Sequence, residues 1–320
     1  MSSSEDTRPA VAIAGAGDVA KFFVEELLKD GRYRIIVLSR AERPWFIRPS
    51  VSLHITDYTH PSILSILTTT LPIALFSFIH SDEPQFYNPV HAALLSACTA
   101  SPTCHKLIPS EYGGNITNFP NLPRFYTPTH SEVRNLLRAQ EKVKWTLVNG
   151  GWFMDYFLPA EKSYMKPLPG VWPIDLQRSK ALILGTGEEK IGWTAARDVA
   201  KALVRLVEVD ELEEYTYIAG EIGTWNAAIQ LLEDFRVQHH NLPKFSHRKK
   251  SVAEIEQEIK DRQSDTSGLL KVSEMDEWNV AGASAVPWSE VERQREKFFK
   301  GIKFRAIREL LEDGEKVGIV

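Results

Sequence analysis

The 320-residue sequence predicts an α/β protein: a doubly wound parallel sheet with helices on both faces, followed by a smaller α+β domain. Three observations carry this. Short apolar runs alternate with helical patterns through the first half of the chain, and such alternation builds parallel sheets. The runs are continuously apolar, as strands buried on both faces are. The first run passes directly into a glycine turn that opens a helix.

Taken in order, Val11–Ala14 (VAIA) is the first strand. It is followed by Gly15-Ala-Gly17-Asp18-Val19-Ala20 and then by Phe22, Phe23, Leu27 and Leu28 at helical spacing up to Gly31. Arg34–Leu38 and Val51–Ile55 are the next strands, and a helix from Pro61 to about Thr69 leads to a fourth, Pro72–Ile79. A helix over Asn88–Ala97, a strand at Lys106–Ile108, a helix over Ser131–Gln140 and a strand at Lys144–Val148 complete the alternation. After Gly150-Gly151 the pattern loosens, with prolines at 159, 167, 169 and 173. Lys180–Leu184 and Thr216–Ala219 read as strands. Arg197–Val207, Thr224–Phe235 (with Thr224 as a cap), Val252–Arg262, Ser289–Phe299 and Ile302–Leu311 read as helices. The expected division is 1–155 for the first domain and 156–320 for the second, with later segments packing back onto the first sheet.

Composition narrows the function. Hydrophobic residues make up 43% and charged residues 25%, an ordinary globular balance that argues against a disordered chain, a fibre or a coiled coil. The net charge of −4 lacks the basic surplus of a nucleic-acid partner. Cys98 and Cys104 make no disulfide framework. No histidine pair stands in register with them for zinc, so they read as small core or surface residues and no metal is expected. The start of the chain lacks the apolar core of a signal peptide. The longest apolar stretch, Leu67 to Ile79, contains Pro72 and falls short of the ~20 residues that span a bilayer. The expectation is a cytoplasmic protein without a membrane partner.

A GxGxx(G/A) turn between a strand and a helix is the Rossmann dinucleotide fingerprint. Its glycines make the tight turn and let the backbone approach a pyrophosphate, and the helix N-terminus offers free N–H groups. Here Gly15, Gly17 and Ala20 occupy the motif positions, with Asp18 and Val19 between; a carboxylate at Asp18 repels a pyrophosphate unless it points away or caps the helix. The end of the second strand selects the cofactor, because an acid there binds the ribose 2′-hydroxyl of NAD and a base accommodates the 2′-phosphate of NADP. This chain has Ser39 and Arg40, then Arg43, which points to NADP(H). The competing reading makes Arg40 and Arg43 a solvated patch. Asp57 is a candidate for the adenine edge or a turn residue.

The glycine turn, the Leu38-Ser-Arg40 segment, Leu107-Ile-Pro-Ser110-Glu-Tyr112-Gly and Trp145-Thr-Leu-Val-Asn149-Gly-Gly151-Trp-Phe-Met-Asp155-Tyr-Phe157 resemble the NmrA-like and isoflavone-reductase-like atypical short-chain dehydrogenases. Gly185-Thr-Gly-Glu-Glu-Lys190, Trp193-Thr, Arg197-Asp198-Val-Ala and Tyr217-Ile-Ala-Gly-Glu221 resemble fungal members. The resemblance spans roughly residues 10 to 235. It implies an NADP-binding Rossmann domain and a smaller substrate domain. Catalytic members of the family reduce double bonds, benzylic ethers, imines or ketones in secondary metabolism; others bind NADP without turnover as redox-sensing regulators.

The chain departs from the reductase pattern at one position. Reductase members carry a lysine at the start of the helix that ends in a valine–arginine pair, where it holds the nicotinamide ribose and assists proton transfer. Anchoring on Val133-Arg134 places His130 there, and no lysine occurs between Lys106 and Lys142. Tyr126 and His130 form a Tyr-x-x-x-His string. With a reference pKa near 6.5, against about 10.4 for lysine, histidine exchanges a proton near neutral pH but lends no permanent charge. Either His130 is a substituted general acid or proton relay has been lost.

Further candidates follow strand ends, where ligands bind in open α/β sheets. They are Ser77, Phe78 and His80 at the end of the fourth strand, Ser110, Glu111 and Tyr112 after the fifth, and Asn149 after the sixth. Ser77, Phe78, Ser110 and Asn149 are assigned to the cofactor, Glu111 to structure, and His80 and Tyr112 to the substrate. Trp152, Phe153, Tyr156 and Phe157 suit a flat apolar substrate, or fill a core; the first three are assigned to the substrate. His239, His240 and the basic run Lys244–Lys250 read as a solvated loop. The leading expectation is an NADPH-dependent reductase of a small flat metabolite, with His130 or Tyr126 supplying the proton and a homodimer as the assembly considered. The alternatives are an NADP-binding regulator without turnover and a non-redox isomerase or cyclase on the same scaffold.

Overall fold

Residues 6–320 are described by the structure, a computed structural model. The first half forms β1 (Ala10–Ala14), α1 (Asp18–Asp30), β2 (Arg34–Ser39), β3 (Val51–Ile55), α2 (His60–Thr70), β4 (Pro72–Ser77), α3 (Pro84–Ala100), β5 (Lys106–Ile108), α4 (Thr127–Arg138), β6 (Lys144–Trp145) and β7 (Leu147–Asn149). Then come β8 (Trp152–Phe153), β9 (Ile174–Asp175), β10 (Lys180–Leu184), β11 (Ile191–Thr194), α5 (Ala196–Leu206), β12 (Tyr215–Tyr217), β13 (Glu221–Gly223), α6 (Trp225–His240), β14 (Ser246–Lys250), α7 (Val252–Asp261), α8 (Leu269–Val280), α9 (Trp288–Phe298) and α10 (Ile307–Gly314). The chain divides into two compact units: Met1–Glu111, Pro128–Val148 and Ala200–Thr216 form the first, and Tyr112–Thr127, Asn149–Val199 and Tyr217–Val320 the second. No helix among the described residues is long and apolar enough to cross a membrane.

The first unit is built on a sheet in the order β3-β2-β1-β4-β5-β6, all of whose pairs are parallel. This is the doubly wound Rossmann arrangement, with the order reversing between β1 and β4. All five residues of β1 are fully buried, the environment its unbroken apolar run requires. Helix α1 turns Phe22, Phe23 and Leu27 into this core and stops at Gly31, whose φ of 75° lets its N–H reach the Leu27 carbonyl. At the far end of the sheet Lys106 is buried. Its Nζ donates to the carbonyls of Leu206, Val207 and Val209, satisfying acceptors left open where α5 ends.

The second unit has two small sheets, β14-β10-β9 and β13-β11-β8, around an aromatic core. Trp172 lies edge-on to Trp152, Phe157, Trp193 and Trp225, with ring centroids 5.0 to 6.3 Å apart.

Several expectations are corrected here. Helix α3 begins four residues before Asn88 and runs through Pro89; Pro84 suits its first turn, where an N–H has no partner anyway. The expected strand over Lys144–Val148 is two strands, because the chain changes partners at Thr146: β6 pairs with β5, and β7 with β12. The final helix starts at Ile307 rather than Ile302.

The basic run is not a solvated loop. Ser246–Lys250 is β14, paired in parallel with β10 from Lys180↔Ser246 to Leu184↔Lys250. As an edge strand it carries charge outward, which discourages edge-to-edge association. Lys250 points inward and pairs with Asp276 at 2.7 Å and with Glu258. His239 and His240 close helix α6.

Helix α8 was not expected. Its inward residues include Ser273, Glu274, Asp276 and Asn279, so it shows no apolar stripe, and it is held by polar contacts instead. Asn279 Oδ1 accepts the indole N–H groups of Trp152 and Trp225 at 2.7 and 3.3 Å.

Candidate functional site

In the first unit the carboxyl ends of four strands lie level. Ala14 pairs in register with Leu38 on one side and Ser77 on the other, and Phe76 pairs with Ile108. The residues that follow are therefore neighbours, although the sequence spreads them over about a hundred positions.

Gly15 leaves β1 at φ 95°, and a Cβ there would stand 3.0 Å from the carbonyl carbon of Phe78, so only glycine fits. Its N–H donates to the Leu38 carbonyl at 3.1 Å and to the Tyr58 hydroxyl at 3.0 Å, and that hydroxyl donates to Leu38 O at 2.7 Å. Tyr58 thus ties the glycine turn to the end of β2. Sequence reasoning missed it, because a lone tyrosine after Asp57 carries no motif.

Gly17 stands just before α1, and nothing lies within 4 Å of where its Cβ would be. That open approach to free amides at a helix start fits a pyrophosphate. Asp18 is the first residue of α1, and its carboxylate lies 3.6 Å from Lys21 Nζ, which offsets its charge beside the anion position. Val19 is half-buried, and Ala20 is buried against the sheet.

At the end of β2, Ser39 is buried while Arg40 and Arg43 are exposed. Among the described residues neither arginine side chain makes a hydrogen bond or ion pair. The guanidinium carbon of Arg40 lies over the Phe86 ring, 4.8 Å from its centroid. Two cations without carboxylate partners fit a phosphate. Asp57 is exposed, and its Oδ1 accepts the N–H and hydroxyl of Thr59 at 2.9 and 2.8 Å; these bonds hold its carboxyl below the usual range. It shapes the turn into α2.

Beyond β4, the Phe78 N–H donates to Ala14 O at 2.8 Å, and His80 is exposed. Ser77 turns its hydroxyl inward, 3.2 Å from His91 Nε2. His91 Nδ1 lies 3.0 Å from the Tyr87 carbonyl and must be the protonated nitrogen, since a carbonyl only accepts. Nε2 is then the acceptor of the Ser77 hydroxyl. Burial lowers the pKa of His91 to about 4, consistent with this neutral tautomer.

The Tyr87 ring is stacked between His91 and His130, at centroid distances of 3.9 and 4.7 Å, and its hydroxyl donates to Ser110 O at 2.7 Å. His130 is only 2% exposed, with Nδ1 2.8 Å from Thr129 Oγ1. Glu111 forms a buried two-pronged pair with Arg134, joining the end of β5 to α4. The column Ser77–His91–Tyr87–His130 has no sequence signature, because its members come from β4, α3 and α4.

The second unit holds the other candidates. Asn149 is fully buried and its Oδ1 accepts the Gly113 N–H at 2.9 Å. Tyr112 adopts φ 43°, and burial of its hydroxyl pushes its pKa well above the usual tyrosine value. Tyr126 ends a short helical turn, its ring 4.5 Å from that of Phe125. Trp152 is a core residue, 5% exposed and bonded to Asn279, while Phe153 and Tyr156 are half-buried.

A doubly wound sheet with a glycine turn, an open helix N-terminus and arginines without side-chain partners after β2 defines a dinucleotide-binding class. Comparison with known proteins places the chain further. It is 34% identical over 306 residues to the oxidoreductase swnR of Arthroderma benhamiae, covering 93% of this chain and 95% of that one. Among solved structures, AtPrR2 with NADP+ and (+)pinoresinol superposes with a TM-score of 0.70 at 18% identity, over 96% of this chain and 99% of that one. The leucoanthocyanidin reductase of Vitis vinifera, solved as a ternary complex, gives 0.69 at 14% identity, over 95% and 98%. No family model matches the chain. The chain belongs to the family of the fungal swnR oxidoreductases.

Proposed function

We propose that this protein is an NADPH-dependent reductase of a small, flat metabolite, transferring hydride to a C=C, C=O or C=N bond. The observation that carries the reading is the pair Arg40 and Arg43, without acidic partners, following Ser39 at the end of β2. A 2′-phosphate supplies the charge they lack. The AtPrR2 complex with NADP+ and the family membership support it.

Bound NADPH supplies the hydride. In this reading the amides from Gly15 to Ala20 hold the pyrophosphate, and Ser39 and Arg40 hold the 2′-phosphate. Asp57 borders the adenine, while Ser77, Phe78, Ser110 and Asn149 shape the remainder of the cofactor site. His130 or Tyr126 delivers a proton to the atom that gains negative charge as hydride adds. His80, Tyr112, Trp152, Phe153 and Tyr156 are the proposed substrate residues, with Trp152 acting as the wall behind Tyr156, whose ring centroid is 6.2 Å away.

The test is NADPH consumption by the purified protein with flat enones, ketones and imines, beside calorimetric titration with NADPH and NADH. Turnover that falls in His130→Ala, with NADPH affinity kept, supports the reading; absence of NADPH binding overturns it. A second reading, an NADP-binding regulator without turnover, draws on the near-complete burial of His130 and on the lack of lysine between Lys106 and Lys142. Tight NADPH binding with no consumption of any acceptor selects it.

A further inference from the structure

Arg40 is exposed, and an exposed arginine loses considerable rotamer freedom when it must hold one ligand geometry. Here its guanidinium is already placed, 4.8 Å from the centroid of the Phe86 ring. Phe86 is the third residue of α3 and half-buried, so helix α3 fixes the ring itself. The contact uses the ring face as the partner of the cation and consumes no N–H donor. Among the described residues Arg40 has no other hydrogen bond or ion pair, so its five donors remain for an anion. The neighbouring charged side chains are Glu42 and Arg43, both exposed, and neither is bonded to it.

We propose that Phe86 is a specificity-determining residue, which sets the preference for a 2′-phosphorylated dinucleotide by holding Arg40 over its ring. The inference rests on the NADP reading above and adds to it a residue that touches no phosphate. Without the ring, Arg40 keeps its charge but must be ordered by the ligand. The penalty falls on NADPH alone, since NADH offers Arg40 no phosphate.

The experiment is calorimetric titration of NADPH and NADH into the wild type, Phe86→Leu, Phe86→Tyr, Arg40→Ser and the Phe86→Leu/Arg40→Ser double variant. Phe86→Leu is expected to weaken NADPH binding about three- to fivefold, the size of an exposed cation–π contact, and to leave NADH affinity unchanged. Phe86→Tyr keeps a ring face and retains wild-type preference. In the Arg40→Ser background the Phe86→Leu change has no further effect. NADH affinity is the internal check on folding. Equal weakening of both dinucleotides by Phe86→Leu, or no weakening of either, overturns the role of Phe86, while a loss of preference in Arg40→Ser keeps the NADP reading. If the wild type shows no preference and Arg40→Ser changes nothing, the NADP reading falls and the Phe86 proposal with it.

Discussion

The ring of Tyr87 lies 4.7 Å from that of His130, with the two planes 22° apart, and its other face stacks on His91. One tyrosine from α3 thus supports His130, one of the two proposed proton donors. Tyr87→Phe keeps the stack and loses the bond to Ser110 O, an expected cost of about 1 kcal/mol and a fall in melting temperature of roughly 2–4 °C. Tyr87→Leu removes both ring contacts and leaves a void, costing about 2–4 kcal/mol. If His130 acts in turnover, kcat drops in the leucine variant and not in the phenylalanine one. Thermal melts with steady-state kinetics check both.

His91 makes a prediction about pH. Burial lowers its folded pKa to about 4, while the unfolded chain titrates near 6.5. Between those values the unfolded state binds the proton and the folded state does not, so protonation favours unfolding. The contribution is fully present above about pH 6.5 and is lost as pH falls toward about 4. It is on the order of 3 kcal/mol. Urea unfolding at pH 7 and pH 4.5 should show a smaller pH dependence in His91→Gln than in the wild type. An identical dependence refutes the assignment.

The two glycines of the turn should separate stability from binding. Gly15→Ala forces a side chain onto a φ of 95° and against the Phe78 backbone, costing about 1–3 kcal/mol. Gly17→Ala meets nothing within 4 Å, so stability stays within about 1 kcal/mol. Its methyl stands in the open approach to α1, and NADPH affinity should fall about tenfold, or about 1.4 kcal/mol. Denaturation and titration on the same preparations distinguish the two effects.

The Glu111–Arg134 pair is buried at both ends. Glu111→Gln leaves a buried guanidinium without its counter-charge, at an expected cost of about 3–5 kcal/mol. Replacing both, Glu111→Leu with Arg134→Met, should cost less than the single change. Urea midpoints of the three variants decide it.

Much of the local structure was legible in the chain. The strands at Val51–Ile55 and Lys106–Ile108 fall where their apolar runs lie, and the capping role of Thr224 holds, its hydroxyl accepting the Ala227 N–H. The glycine turn was legible for the same reason, since its φ requirement and its place between strand and helix are local properties. Helix α8 and strand β14 were not legible. Both hide polar side chains, so the apolar periodicity that marks a buried face is missing until Lys250 meets Asp276 and Asn279 meets Trp152.

The site divides along the same line. Gly15, Gly17, Ser39 and Arg40 announce a dinucleotide because each acts through its own backbone turn or its own charge, and both are written in adjacent residues. Tyr58 on the glycine turn, Phe86 beneath Arg40, and Tyr87 between His91 and His130 came only from the folded chain. Each meets a partner brought to it by the order of the strands, except that His91 lies one helical turn from Tyr87 within α3. A side chain's partner across a parallel sheet is chosen by which strand lies next to which, and that is settled by burial summed over the whole unit rather than by any short stretch of residues.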